Sequence, residues 1–273
     1  MPTTTTEAEH LLEDLGLADV PVIPEEVCRA MSSSSYQITL EERQMTSKDL
    51  HGMSIGSAQE ARILVNSNIP NRHRKRFTAA HEIGHVCLHI QTNKKSKFTC
   101  RDEDISASAD NNDKYEREAN EFASSLLMPS SVVSPLVLRS DLVWPLIHRI
   151  KDLCDVSLEA AARRAITLSK EPCCLIIHKN GDMWNPMKSR SFSTFVPNQP
   201  FPSCLYASSD GESDKIESAE ECDFADWCFP DRATGKLYYS SIHNSEFNRT
   251  MTLLIHDEDY EDEDGEDWEA PHF

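Results

Sequence analysis

Two histidines and a glutamate at positions 81, 82 and 85, within Arg76-Phe77-Thr78-Ala79-Ala80-His81-Glu82-Ile83-Gly84-His85, restrict this chain more than any other feature. On a helix over residues 77–90, His81 and His85 stand one turn apart, so both imidazoles leave from one face and can grip one ion. Glu82 lies about 100° further round that helix. Its carboxylate is then placed to act as general base on a water that the cation acidifies, rather than as a ligand. A catalytic zinc ordinarily has three protein ligands and one open position, so a third ligand is required downstream. The triplet alone would arise by chance in roughly a few per cent of chains of this length and composition, so its surroundings have to decide.

Those surroundings include a second helix. In Tyr115–Pro129, Ala119, Phe122, Ala123, Leu126 and Leu127 recur at helical spacing and Pro129 stops the run. Glu116 shares the apolar stripe, while Glu118 and Glu121 fall off it. A carboxylate on an apolar face is costly unless something pairs with it, and a metal would do so. Glu116 is therefore the expected third ligand, against the plainer reading of a salt bridge at a helix start. Asn120, one turn along, is placed to hydrogen-bond the outer nitrogen of His81 or His85 and fix its tautomer.

The rest of the chain is ordinary for a soluble globular protein: 273 residues, 39% hydrophobic and 27% charged, enough for two domains. The N-terminus lacks a basic start and an apolar run, and no stretch approaches the roughly 18 apolar residues of a membrane span. Nine cysteines without a Cys-x-x-Cys pair disfavour a disulfide framework or a cysteine zinc module. Reduced thiols and the absence of a leader lead to the expectation of a cytoplasmic protein with no membrane contact. Cys87 points away from the histidine face and reads as packing. The net charge of −19 disfavours nucleic acid, although ten Asp and Glu lie in the tail from Asp257 onward, leaving the body about half of it.

In chain order, residues 7–31 predict two short helices broken by a proline turn. Strands are expected at Tyr36–Leu40, Gly52–Ile55 and Ala61–Asn66, forming a small curled sheet beside the metal helix. In zinc peptidases of this motif type, such a sheet edge often receives the substrate as an added strand. The basic run Arg72–Arg76 reads as a solvated helix start rather than a nucleic-acid patch. Gln91–Asp113 is polar and reads as a loop that could fold over the cleft. From Asp141, Val143, Leu146, Ile147, Ile150 and Leu153 predict one helix, Ser157 caps the next, and 158–168 completes a helix-turn-helix outline. Its second helix lacks obvious base-reading residues, so docking of a protein is preferred to direct DNA binding through 141–170. Strands are expected at 173–179, Leu205–Ala207, Trp227–Phe229, Lys236–Ser241 and Arg249–His256, with Ser208–Glu221 a surface loop. His178, His243 and His256 read as strand or surface residues rather than ligands.

Arg-Phe-Thr-x-Ala-His-Glu-Ile-Gly-His at 76–85, then Glu-x-x-Ala-Asn-x-Phe-Ala-x-x-Leu-Leu-Met-Pro at 116–129, with Asn66 ending the preceding strand, resembles the ImmA/IrrE family of metallopeptidases. The resemblance covers residues 60–130 well and the remainder in outline. It implies a thermolysin-like minimal peptidase with His81, His85 and Glu116 as ligands and Glu82 as base. It also implies zinc, with manganese implicated for some members, and as substrate a helix-turn-helix repressor of the Xre or Cro type, often encoded beside the peptidase. Family members with a radiation-response role carry a helix-turn-helix module before a GAF-like domain.

The resulting expectation is an α+β protein. It has a zincin-like peptidase domain at 1–130, a helix-turn-helix-like module at 131–170, a β-rich, GAF-like α+β domain at 171–256 and an acidic tail at 257–273. His89 reads as a packing or supporting residue, because on an α-helix it lies about 80° from His81. With Tyr115 it is a candidate for the proton donor to the tetrahedral intermediate. The alternatives are a regulator that binds a repressor or DNA without proteolysis, and the toxic half of a toxin–antitoxin pair. An intact Glu82 argues for the enzyme, since a purely structural metal needs no base.

Overall fold

The segment before the metal helix alternates buried and exposed residues, and it pairs accordingly. In the computed structural model, residues 4–47, 49–57, 59–101, 113–179, 182–194, 196–197, 219–228, 235–244 and 248–257 are described. The chain divides into two units, one of residues 1–133 with 149–161, the other of 134–148 with 162–273.

In the first unit, helices α1 (Thr4–Leu15) and α2 (Pro24–Met31) precede strands β1 (Gln37–Arg43), β2 (Leu50–Gly56) and β3 (Glu60–Asn66). Helix α3 (Arg72–His85) follows, and Val86–Ile90 continues it as one widened π turn. Strand β4 (Lys97–Arg101) and helix α4 (Lys114–Leu127) complete the site. The sheet runs β1-β3-β2-β4, with β1 parallel to β3 and β2 antiparallel to both β3 and β4. Helix α3 packs against β2, β3 and α4. Its entire second half, from Thr78 to His85, is buried.

Local chemistry accounts for these boundaries. Asn71 caps α3 by accepting from Arg74 N–H at 3.0 Å. Asp113 caps α4 by accepting from Tyr115 N–H at 2.9 Å. The basic start of α3 is held by acidic partners: Arg72, His73 and Arg76 face Asp155, and Lys75 pairs with Glu42 at 2.8 Å. The polar stretch read as a loop over 91–113 contains β4, whose burial alternates along Lys97-Phe98-Thr99-Cys100-Arg101 with Phe98 and Cys100 inward. Residues 102–112 of that stretch lie outside the described part.

Helices α5 (Ser130–Val137), α6 (Trp144–Cys154) and α7 (Leu158–Leu168) come next. Ser157 caps α7 as expected, accepting from Ala160 N–H at 3.1 Å. The boundary between the units runs through α6 and α7.

The second unit is built on strands β5 (Cys173–Lys179), β6 (Asp182–Lys188), β7 (Glu220–Cys222), β8 (Lys236–Asn244) and β9 (Arg249–Asp257), with the short helix α8 (Phe224–Trp227). All neighbours are antiparallel in the order β6-β5-β9-β8-β7. One face buries Cys174, Ile176, Phe192, Trp227, Tyr239 and Leu254 together. Trp227, expected to open a strand, instead closes a helical turn, because Asp223 caps it by accepting from Ala225 N–H at 2.9 Å. The expected strand at Leu205–Ala207, residues 208–218 of the expected surface loop, and the tail from residue 258 lie outside the described residues. Across the described residues the chain is of mixed α+β class. Among the described residues no helix is long and apolar enough to cross a membrane.

Candidate metal centre

Gly84 lets α3 and α4 cross closely, since a Cβ there would lie 3.2 Å from the Ala119 backbone and from the Phe122 side chain. The crossing sets Glu116, in the first turn of α4, opposite the two histidines of α3. His81 Nε2 and Glu116 Oε2 are 3.0 Å apart, His85 Nε2 and His81 Nε2 3.0 Å, and His85 Nε2 and Glu116 Oε2 3.3 Å. Both histidines are fully buried and Glu116 is 6% exposed.

Three lone-pair atoms converging in a buried space repel one another unless a proton or a cation lies among them. His81, His85 and Glu116 could hold one ion, and this donor set suits a divalent metal.

The protonation states agree with that fit. For Glu116, burial works upward, but its close contacts with the His81 and His85 imidazoles more than offset it and hold the carboxyl at about 2. Burial pushes the His85 imidazole down to about 4, so it stays neutral. Burial also opposes the charge on His81, but the Glu116 hydrogen bond and the Glu82 and Glu116 charges outweigh it and raise its pKa. A cation would displace that proton.

Each histidine is held from behind. His81 Nδ1 lies 2.9 Å from Asn120 Oδ1, which accepts the Nδ1 proton and leaves the Nε2 lone pair facing the cluster. His85 Nδ1 lies 3.0 Å from His89 Nδ1, and His89 Nε2 lies 3.0 Å from Glu118 Oε2. His85 and His89 are i, i+4 neighbours one turn apart, and the helix widens beyond His85 into a π turn in which Gln91 N–H bonds back five residues to the Val86 carbonyl. His89 thus lies between His85 and Glu118. Glu118, which α-helical spacing put aside, joins it.

Glu82 is fully buried beside the cluster and lies against β2. A Cβ on Gly52 would sit 2.5 Å from Glu82 Oε1 and 2.7 Å from Thr78 Cγ2, so this approach depends on glycine. Phe98 of β4 stacks on the His85 ring, with centroids 4.1 Å apart and planes within 15°. Tyr115 packs edge-on against His89 at 4.8 Å. A surface depression lined by Lys95, Lys97, Phe98, Thr99, Asp113 and Glu116 is where the cluster meets solvent. Gly52, Gly84, Phe98 and Cys100 were not singled out in the sequence. For the last two the signal was the two-residue alternation of β4.

Residues 34–165 match the family profile described as the IrrE N-terminal-like domain of peptidase M78. Residues 34–165 are therefore an IrrE N-terminal-like domain of the peptidase M78 type. The family match spans α3, β4 and α4, the elements that assemble the cluster. A Bacillus phage phi105 protein named "Uncharacterized immunity region protein 2" is 42% identical over 77 residues, covering 26% of this chain and 40% of the relative. A solved Mycobacterium tuberculosis transcriptional regulator aligns with 93% of this chain and 87% of its own at a TM-score of 0.53 and 13% identity, a likeness of fold.

Proposed function

We propose that this IrrE-like domain is a metal-dependent endopeptidase, and that it cleaves a helix-turn-helix repressor of the Xre or Cro type encoded nearby, relieving repression. The observation that carries the reading is the convergence of His81 Nε2, His85 Nε2 and Glu116 Oε2 within 3.0–3.3 Å, with a fully buried glutamate beside them. The immunity-region name of the phage relative supports a regulatory setting, although the match spans less than half of that protein.

In this reading His81, His85 and Glu116 hold a divalent cation; zinc suits two imidazoles and a carboxylate, and manganese is the other choice. The cation supplies Lewis acidity at the substrate carbonyl and acidifies water. Glu82 takes up a proton as water adds to the carbonyl and returns it to the departing amine. Asn120 keeps the His81 proton on Nδ1. His89 engages both ring nitrogens, with His85 and Glu118, and so serves to position His85 rather than to donate a proton. The zincin-like character of the first domain and the GAF-like, sensory character of the β-rich one belong to this proposal, as does a reducing cytoplasmic setting, in keeping with cysteines that form no disulfide among the described residues.

The test is co-expression with the adjacent repressor, comparing wild type with Glu82→Gln. Cleavage is expected to fall by at least about 10²-fold. Undiminished cleavage in the variant would overturn the mechanism, and absence of cleavage by wild type would favour a binding regulator or a toxin–antitoxin component.

A further inference from the structure

Strand β4 brings a thiol to the metal helix. Its register with β2 sets Phe98 opposite Ser54 and Cys100 opposite Gly52, so Phe98 and Cys100 project from one face. Phe98 covers His85. Cys100, fully buried, reaches the other end of the cluster, where one ligand atom each of His81, Glu82 and Cys100 lie within 4.8 Å of one another. The register explains the meeting. Gly52 leaves open the space that its own Cβ would fill, the Glu82 carboxylate occupies it, and Cys100 is the residue directly across the ladder.

Two sets of donors therefore share His81. One adds His85 and Glu116, the other Glu82 and Cys100. We infer that the second set is an alternative position for the same ion, in which zinc is held by His81, the Glu82 carboxylate and the Cys100 thiolate. The inference rests on the metal-binding reading of His81 given above. Binding there releases the thiol proton to solvent. Because Glu82 becomes a ligand, it ceases to be a base, and the position is catalytically silent by construction.

The nitrogen, oxygen and sulfur donors favour zinc over manganese, since thiolate is a soft ligand. Bonds of about 2.0–2.3 Å place tetrahedral ligand atoms roughly 3.5 Å apart, so rotation of the side chains closes the group. The chemistry differs from that of a packing cysteine such as Cys28, whose thiol burial pushes up to about 12 and which belongs to no such donor group among the described residues.

The experiment uses the full chain, stripped of metal and loaded with one equivalent of cobalt(II) under reducing conditions. Wild type is expected to show a sulfur-to-cobalt charge-transfer band in the near ultraviolet. Cys100→Ser and Cys100→Ala should lose it, while His85→Ala, which damages only the first set, should keep it. If the silent position holds roughly nine tenths of the ion, Cys100→Ser also lowers zinc affinity about tenfold by chelator competition. Cobalt bound by wild type without the band, or a band that survives both Cys100 substitutions, overturns this inference alone. Failure of wild type to bind cobalt at all overturns the metal reading and this inference with it.

Discussion

His85 can offer Nε2 to a cation only while its proton stays on Nδ1, and the residue that keeps it there is four positions on. His89 Nδ1 accepts that proton, which obliges His89 to carry its own on Nε2, and Glu118 accepts it. Lys114, 3.4 Å from Glu118, lies on its solvent side. Removing the far end of such a relay commonly costs 10–100-fold in metal affinity. Glu118→Ala is accordingly expected to weaken zinc binding by about tenfold or more, while Glu118→Gln, which still offers an acceptor, should recover most of it. Equal affinity in wild type and Glu118→Ala, measured by chelator competition, would remove Glu118 from the site. His81, His85, Glu116 and Asn120 could be grouped from helical periodicity combined with the need for a third ligand and the cost of a carboxylate on an apolar face, because α3 and α4 are regular where those residues sit. Glu118 could not, since it falls off the apolar stripe of α4 and nothing local pairs it with His89 across the two helices.

Among the elements, legibility followed apolar content. β1, β3, β5, β8 and β9 each bury Ile, Leu, Val or Met and so read as strands, whereas β2 buries Gly52 and Ser54 and shows its apolar character through Met53 and Ile55 in the sequence. β4 carries two inward residues between three charged or polar ones, and its flanks are charged, so its period was masked. β6 contains Pro186 and polar residues and draws its definition from pairing with β5. The second-unit sheet also buries a titratable group in strand β5. His178 lies opposite Met183 of β6 and Thr250 of β9, near the Trp227 ring, and is 2% exposed. Burial lowers its pKa to about 4. The unfolded chain therefore takes up a proton near pH 6.5 that the folded strand refuses until about pH 4, so stability is full above the upper value and declines between the two. The loss amounts to roughly 2 kcal/mol by pH 5. Denaturant unfolding at pH 7 and pH 5 should show this drop in wild type and a smaller one in His178→Leu; parallel drops in both would place the pH sensitivity elsewhere.

At the scale of the whole molecule, the first unit is not a continuous stretch of chain. It resumes with residues 149–161 after omitting 134–148, and the family match likewise runs on to residue 165. What returns is the end of α6 and its turn. Val156 N–H bonds to the Lys151 carbonyl around Asp155, which has a positive φ of 51°, the geometry of a left-handed helix stop. That turn delivers the Asp155 carboxylate to Arg72, His73 and Arg76 at the start of α3, and Arg76 also donates to the Val22 carbonyl at 2.9 Å. The long-range link escapes sequence reading because nothing local ties a turn at 155 to a helix start at 72. Asp155→Asn keeps a side chain that tolerates positive φ and removes only the charge. Arg72 is mostly exposed, so its pair contributes little, while the partly buried Arg76 loses a counter-ion. A net loss of about 1 kcal/mol is expected, or roughly 2–4 °C in melting temperature. A fragment ending at residue 130 forfeits the turn altogether and should melt lower than one ending at residue 168, or fail to bind cobalt. If the shorter fragment melts at the same temperature and binds cobalt equally, the returning segment is not part of what holds α3 in place.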